Sequence, residues 1–269
     1  MPIAKLARDA RNVTVARMTC GGSQNFLGAP WVAHLVENSP QRIRQQVALR
    51  VLSLSPHYFY SPDIRAEAER NRRSRQALVE ALLSPYLSPD ARVVDYGCGP
   101  GYMARAVAAR VRHVEAVDIS PGVLACARVL NGCQNIKYLT PTEFQNSPDK
   151  ADLAYSFAVI QHMRTEMLAQ TLELLAVKMR SGAMLLLHFA IPGPSGWRTE
   201  DECKSDRSVS GRIKLHYAMN CFGRSTAEME ALVMESGFRE VAVHHLEGKL
   251  AIPGDDDIAQ QHMLIARRA

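Results

Sequence analysis

The chain has no apolar run approaching the ~20 residues that a membrane-spanning helix requires. Its longest run, Ala183 to Leu187 and onward to Ile191, is broken by His188 and reads as a buried strand. None of the six cysteines (Cys20, Cys98, Cys126, Cys133, Cys203 and Cys221) pair as CxxC, and no Cys/His group has zinc-finger spacing. No metal is therefore expected. A chain of 269 residues needs no disulfide staples, so free thiols in a reducing cytoplasm are the expectation. Internal repeats and low-complexity tracts are missing. So is the apolar core of a secretory signal, although Met1 to Arg17, Arg-rich and acid-poor, has the composition of a targeting sequence.

What is present suits a folded α/β body with an N-terminal addition. Hydrophobic residues make up 47%, enough for a sizeable core. The net charge of +5 is uneven: up to Arg75 there are 12 Lys/Arg against 5 Asp/Glu, a balance of +7 that leaves −2 for the remainder. This basic region reads as an arm for RNA or a membrane surface, or more simply as a solvated helix face plus a loose tail.

Residues 1–28 show weak periodicity and end in a Gly-Gly-Ser turn, so they are expected to be a poorly anchored basic tail. Residues 29–91 read as a helical cap. Trp31–Glu37 and Gln41–Leu54 are two short helices, followed by the aromatic cluster HYFY at His57–Tyr60. Ser61-Pro62-Asp63 then supplies an N-cap, a first-turn proline and a first-turn acid for a helix running to about Leu83. From Arg92 strands and helices alternate. Strands are expected at Val93–Tyr96, His113–Ile119, Ile136–Leu139, Asp152–Phe157 and Ala183–Ala190. The intervening helices are Tyr102–Arg110, one from Ser120-Pro121 to Gly132, and Thr165–Met179, ended by Ser181-Gly182. A long irregular segment, Ile191–Arg224, precedes a capping box at Ser225–Glu228 and a helix that stops at Gly237. Two last strands, Glu240–Leu246 and Gln261–Ala266, have no helix between them and can pair as an antiparallel hairpin. The whole is a seven-stranded, mainly parallel sheet covered on both faces.

In such a sheet a ligand sits beyond the carboxyl ends of the strands. There the chain carries VVDYGCGPGYMARA, Val93 to Ala106. A dinucleotide fold uses GxGxxG, with its third glycine one helical turn in. Here Gly97, Gly99 and Gly101 give GxGxG, and Tyr102 takes the place of that third glycine. Asp95, two residues before the first glycine, puts negative charge where a ligand with a positive group suits better than a pyrophosphate. Asp118 ends the second strand, where a carboxylate can accept hydrogen bonds from both ribose hydroxyls. It could also cap the helix at Pro121, a role that Ser120 fills better.

VDYGCGPG followed by AVDIS resembles the class I S-adenosylmethionine-dependent methyltransferases, and the strand order agrees through Arg92–Ala269. The resemblance implies a Rossmann-like fold whose S-adenosylmethionine-binding domain is residues 92–269. It places Asp95, Gly97, Cys98, Gly99 and Gly101 around the methionine end of the cofactor, Asp118 on the ribose and Ile119 on the adenine. Strand four, DLAYSFAVIQH, is similar to the family's next motif and would set Ser156 and Phe157 beside the sulfonium. Family members often carry an acid after strand three that contacts the adenine amine. Here the run is YLTPTEF, with Thr142 in that place and Glu143 next; Thr142 or a backbone carbonyl could substitute.

Methyl transfer from a sulfonium is an in-line displacement, and alignment alone supplies much of the acceleration. A base is needed only where the nucleophile loses its proton early. His162, just after strand four, is the first candidate for that base, or else a histidine that shapes the loop. His188 reads as a core residue or an acceptor contact. Tyr60 is either part of a lid or simple packing. The segment 192–224 carries Trp197, Arg198, Arg207, Arg212, His216 and Tyr217, which suit a substrate with rings or acidic groups; equally, IKLHYAM suits an amphipathic helix. The expected activity is methyl transfer to oxygen or nitrogen of a small-molecule metabolite. The alternatives are an RNA-modifying methyltransferase and a non-catalytic scaffold of the same fold. Against a nucleic-acid acceptor, the chain has no Asp/Asn-Pro-Pro-aromatic motif and no Pro-Cys pair.

Overall fold

The computed structural model describes residues 26–54, 63–193, 197–216, 220–246 and 261–269. The tail up to residue 25, the HYFY cluster with Tyr60, Ser61-Pro62, Tyr217 and the loop at Pro253-Gly254-Asp255 lie outside the described residues. Seven strands form one sheet: β1 (Arg92–Tyr96), β2 (His113–Val117), β3 (Ile136–Leu139), β4 (Ala151–Ser156), β5 (Met179–Ala190), β6 (Phe238–His245) and β7 (Gln261–Arg268). Their order is β3-β2-β1-β4-β5-β7-β6. The first five run parallel, and β7 is antiparallel to both β5 and β6. The sheet order reverses between β1 and β4, which opens a crevice at their carboxyl ends.

Successive strand residues point to opposite faces, so apolar β1 and β4 serve two cores at once. Val93, Leu153 and Tyr155 pack with Met103, Ala104 and Val107 of α4 (Tyr102–Ala108) and with Leu78 at the end of α3 (Ile64–Leu78). On the other face, Val94 and Ala154 pack with Leu168, Leu172 and Leu175 of α7 (Thr165–Lys178) and with Met229 and Val233 of α10 (Thr226–Glu235). A third core lies outside the sheet. Val32 and Val36 of α1 (Pro30–Glu37) and Leu52 of α2 (Gln41–Ser53) close on Val123 and Cys126 of α5 (Pro121–Asn131).

Three local expectations are corrected. The helix expected to start at Ser61 starts at Ile64, because Asp63 is its cap: the carboxylate accepts from Ala66 N at 3.1 Å. It then loosens into a π-turn over Val79–Leu83 and a 3-10 turn over Ser84–Tyr86. Strand β5 begins at Met179 and not Ala183, since Met179 already pairs with Ala151. The register then slips, and Gly182 takes a φ of +78° within the strand. Arg180 and Ser181 point into solvent, so the apolar run that marked this strand showed only its buried part. The segment 191–224 is not irregular throughout. It holds α8 (Glu200–Ser205) and α9 (Val209–His216). Thr199 and Glu202 form a capping box on α8, the T-x-x-E signature of a helix start. The remaining short helix, α6, is Pro141–Asn146.

Candidate active site

The glycine turn is tied to the neighbouring strand before it opens into α4. Gly97 N and Cys98 N both donate to Val117 O, at 2.7 and 2.9 Å. Gly97, Gly99 and Gly101 all have positive φ, at 84°, 52° and 81°. At Gly101 the need for glycine is also steric, since a Cβ there would lie 2.4 Å from Tyr138 Oη. Cys98 is buried, and desolvation raises its thiol well above the ordinary range, so it is an inert filler.

Asp118 joins the two turns that end β1 and β2. Its Oδ2 accepts from Gly99 N and its Oδ1 from Ser120 N, both at 2.9 Å. The expectation that Ser120 caps α5 is thereby corrected: Ser120 makes no side-chain cap, and its Oγ is buried without a partner. Asp118 instead folds its carboxylate back onto the turn two residues ahead, which leads into α5 without capping it. Burial raises its pKa against the pull of the two N–H groups. Each carboxylate oxygen keeps a second acceptor site. Beside it, Ile119 is 62% exposed, a large apolar side chain open to solvent.

Asp95 is buried at 3% exposure, and its Oδ2 makes no hydrogen bond. Tyr155 Oη lies close enough for each group to shift the other, but without the geometry of a formed bond. Burial pushes the Asp95 carboxyl up to about 7; Tyr155 and the Ala104 N–H oppose that rise, and the Asp118 charge adds to it. Among the described residues, seven buried side-chain atoms lack a hydrogen-bond partner. Four of them belong to the glycine turn or to the elements flanking it: Asp95 Oδ2, Tyr102 Oη, Ser120 Oγ and Tyr155 Oη. Each such atom costs about 1–3 kcal/mol while it stays unpaired. A glycine turn ringed by orphan polar atoms, with an exposed Ile119 beside it, fits a polar ligand with an aromatic end.

The carboxyl ends of β4 and β5 are built differently. Ser156 Oγ donates to Tyr96 O at 2.8 Å, so its hydroxyl ties β4 to β1. Phe157 stacks on His188, with ring centroids 4.2 Å apart. Ala158 follows at a φ of +59°, and its N–H donates to His188 Nδ1 at 3.2 Å. The opposite nitrogen, Nε2, lies 3.1 Å from Gln261 Oε1. Burial lowers the His188 pKa to about 4, so the ring is neutral at neutral pH, with both nitrogens engaged inside the fold. It supports Phe157 from below and offers no nitrogen to a ligand.

His162 ends a 3-10 turn, Ile160–His162, and is exposed; Cys221 Sγ sits 3.4 Å from its Nδ1. After β3, Glu143 is committed to a capping box: its Oε2 accepts from Thr140 N and Oγ1, at 2.7 and 2.8 Å. Thr142 is exposed on α6. Trp197 is half-buried, and its carbonyl accepts from Gly193 N. The reading of Arg198 as a contact for acidic substrates is corrected, because its guanidinium is bonded to Asp206 and to Glu202 O within its own loop.

Four residues escaped the sequence reading. Arg75 of α3 is the cation whose field reaches both Tyr102 and His188, although α3 read only as a polar helix. Tyr155 stood in plain view in the strand but gave no sign that its hydroxyl meets Asp95. Arg224 is 3% exposed and donates to Ile160 O and Met163 O, at 3.1 and 2.5 Å, holding the turn that carries His162. Cys221 is the fourth.

The profile of a family described as "Methyltransferase domain" matches residues 67–200. No curated protein matches the chain. Among solved structures, the magnesium protoporphyrin IX methyltransferase of Synechocystis, determined with bound S-adenosylhomocysteine, is 15% identical with a TM-score of 0.52, covering 89% of this chain and 99% of that one. An S-adenosylmethionine-dependent methyltransferase from Mesorhizobium loti is 20% identical with a TM-score of 0.52, covering 71% and 98%. The mitomycin 7-O-methyltransferase is 17% identical with a TM-score of 0.53, covering 98% and 68%. The fold and the family match together define a methyltransferase of the Rossmann-like type. The chain belongs to the class I S-adenosylmethionine-dependent methyltransferases, and S-adenosylmethionine is its cofactor.

Proposed function

We propose that the protein methylates an oxygen or nitrogen of a small-molecule acceptor, working in the cytoplasm, where its thiols stay reduced. One observation carries the reading. Orphan polar atoms gather at the glycine turn, while the neighbouring β4–β5 edge presents Phe157 and an exposed histidine. A polar cofactor belongs on the first side and an acceptor on the second. The comparison structures named for magnesium protoporphyrin IX and for mitomycin have small-molecule acceptors, which favours the same class here.

In this reading residues 92–269 bind the cofactor and residues 29–91 form a cap. Gly97, Cys98, Gly99 and Gly101 present backbone to the methionine end, Asp95 faces its ammonium group and Arg75 its carboxylate. Asp118 accepts from the ribose hydroxyls on the lone pairs that Gly99 N and Ser120 N leave open. Ile119 covers the adenine, with Thr142 and Glu143 at its far edge. Bound S-adenosylmethionine supplies a methyl group activated by its sulfonium. Phe157 and Ser156 border that centre, Phe157 excluding water and Ser156 fixing the strand end. His162 accepts the proton of a hydroxyl acceptor, while Trp197 lines the acceptor side.

RNA is the second reading, favoured by a groove of about 580 Å³ whose lining includes Arg42, Arg44 and Arg128. That groove runs along α5 at Ala125–Val129, roughly 10 Å along the helix from the turn that holds Asp118. The test is calorimetric titration with S-adenosylhomocysteine, with NADH as control. Binding of the former alone at micromolar affinity is expected, weakened by about tenfold or more in Asp118→Ala. Unchanged affinity in that variant rejects the ribose placement. Binding of RNA that weakens steeply with salt moves the acceptor to the second reading.

A further inference from the structure

Cys221 Sγ lies 3.4 Å from His162 Nδ1, within hydrogen-bond range for sulfur. Neither residue rides on a loose loop. Phe222 N donates to Gln161 O at 2.7 Å, joining the residues adjacent to the pair. Gly223 N donates to Arg198 O at 2.8 Å, and Arg224 N to Ala190 O at 2.9 Å. The Arg224 guanidinium then grips Ile160 O and Met163 O, one on each side of His162. The 221–224 strap and the 160–163 turn are thus fixed to one another from several directions, and the thiol–imidazole contact is held in place by main chain.

Cys221 differs from the other described cysteines. Cys98, Cys126 and Cys203 are buried, and desolvation raises the thiol pKa of all three. Cys133 is exposed. Cys221 is partly accessible and stands against an exposed imidazole. A thiol becomes a nucleophile as its thiolate, and an adjacent histidine that takes its proton is a recurrent way to make one. Beside the pair lies a cavity of about 20 Å³, lined by His162, Arg164, Leu215, Asn220 and Phe222. That is room for about one water molecule and no more, so an adduct on sulfur must extend outward.

We infer that Cys221 and His162 form a proton-sharing pair in which the imidazole activates the thiol, making Cys221 a covalent modification site for soft carbon electrophiles. The inference stands on this geometry and draws on Nδ1 of the same imidazole that the acceptor reading takes as its base. In the reaction the Cys221 proton moves to His162 Nδ1, giving thiolate and imidazolium. With an alkyl halide, the sulfur forms a bond to carbon as the carbon–halogen bond breaks, and halide departs with the electron pair. The imidazolium then releases its proton to solvent.

The test uses the reduced full-length protein and iodoacetamide, with adducts at Cys221 and Cys133 quantified by peptide mass spectrometry from pH 5 to 9. Cys221 is expected to reach its maximal rate at a pH at least one unit below Cys133 in the same sample. In His162→Ala that difference should collapse, while thermal unfolding shows the variant folded. Parallel pH profiles for the two cysteines in the wild-type protein overturn the inference without recourse to any variant. So does a folded His162→Ala protein whose Cys221 still reacts at low pH.

Discussion

The two halves of the sheet edge differ in how far their buried polar groups are satisfied. Around the glycine turn, Asp95 Oδ2, Ser120 Oγ and Tyr155 Oη are out of solvent and unbonded. At the ends of β4 and β5, the Ser156 hydroxyl, both His188 nitrogens and both terminal nitrogens of Arg224 are engaged, while Gln161 Oε1 and Arg224 Nε lack a hydrogen bond. The same sequence that leaves polar groups unsatisfied in one place spends a buried arginine to hold a turn in another. Unsatisfied groups persist where a ligand completes them; satisfied ones make a platform. The first half therefore holds more unsatisfied groups than the second, whose turn the Arg224 guanidinium braces.

The largest expected effect comes from completing the first half artificially. The folded pKa of Asp95, about 7, stands above the 3.8 of an unburied aspartate. The folded state then holds its proton more tightly than the unfolded state, so stability is present at low pH and lost as pH rises from about 4 to 7. By pH 8 the loss is roughly 4 kcal/mol. Asp95→Asn cannot ionise. It is expected to raise the urea midpoint of the cofactor-free protein at pH 8 while weakening S-adenosylhomocysteine binding by about tenfold or more. A variant less stable than wild type at pH 8 would show that Asp95 serves the fold and not the ligand.

His188 carries the opposite sign. Its folded pKa, about 4, lies below the ordinary 6.5, so the unfolded state binds the extra proton. Stability is complete above pH 6.5 and falls as pH drops towards 4, by roughly 3 kcal/mol. Between pH 4 and 6.5 this slope opposes that of Asp95, and each masks the other in the wild-type protein. In His188→Gln only the raised carboxylates Asp95 and Asp118 remain of this set. Urea unfolding at pH 6.5 and 4.5 should then show the variant gaining stability relative to wild type as pH falls. Parallel curves would mean that the ring is not buried as a neutral base.

The contrast also explains what the sequence disclosed. The strand–turn–helix at Val93–Ala106 and the carboxylate at Asp118 were legible because close backbone approach needs glycine, and because an acid at a strand end follows from chain position. The sheet was legible because strands buried on both faces must be apolar throughout. The β4–β5 platform was not. Arg224 and Cys221 act on a turn some 60 residues earlier in the chain, and no local period records such a contact. Arg75 was hidden by its helix: IRAEAERNRRSRQAL reads as a solvated surface, yet Glu67 and Asn71 are buried on it. Charge composition cannot say which face of a polar helix looks inward.

The smallest effect tests the boundary between the halves, after β3. The family resemblance looks for an acid at this point to meet the adenine amine, and Glu143 is the acid the chain offers. Its carboxylate is already bound to Thr140 N and Oγ1, which hold its pKa below the ordinary range. Both donors land on Oε2 and hold the carboxylate in the cap that turns β3 into α6, which fixes where Oε1 can reach. Glu143→Ala is accordingly expected to cost about 1 kcal/mol of stability and to leave S-adenosylhomocysteine affinity within about twofold. Thr140→Ala should match it in stability, since both break one capping box. A tenfold loss of affinity in Glu143→Ala with Thr140→Ala unaffected would move the carboxylate out of the cap and into the cofactor site, and the half-sheet that reads as incomplete would extend one strand further.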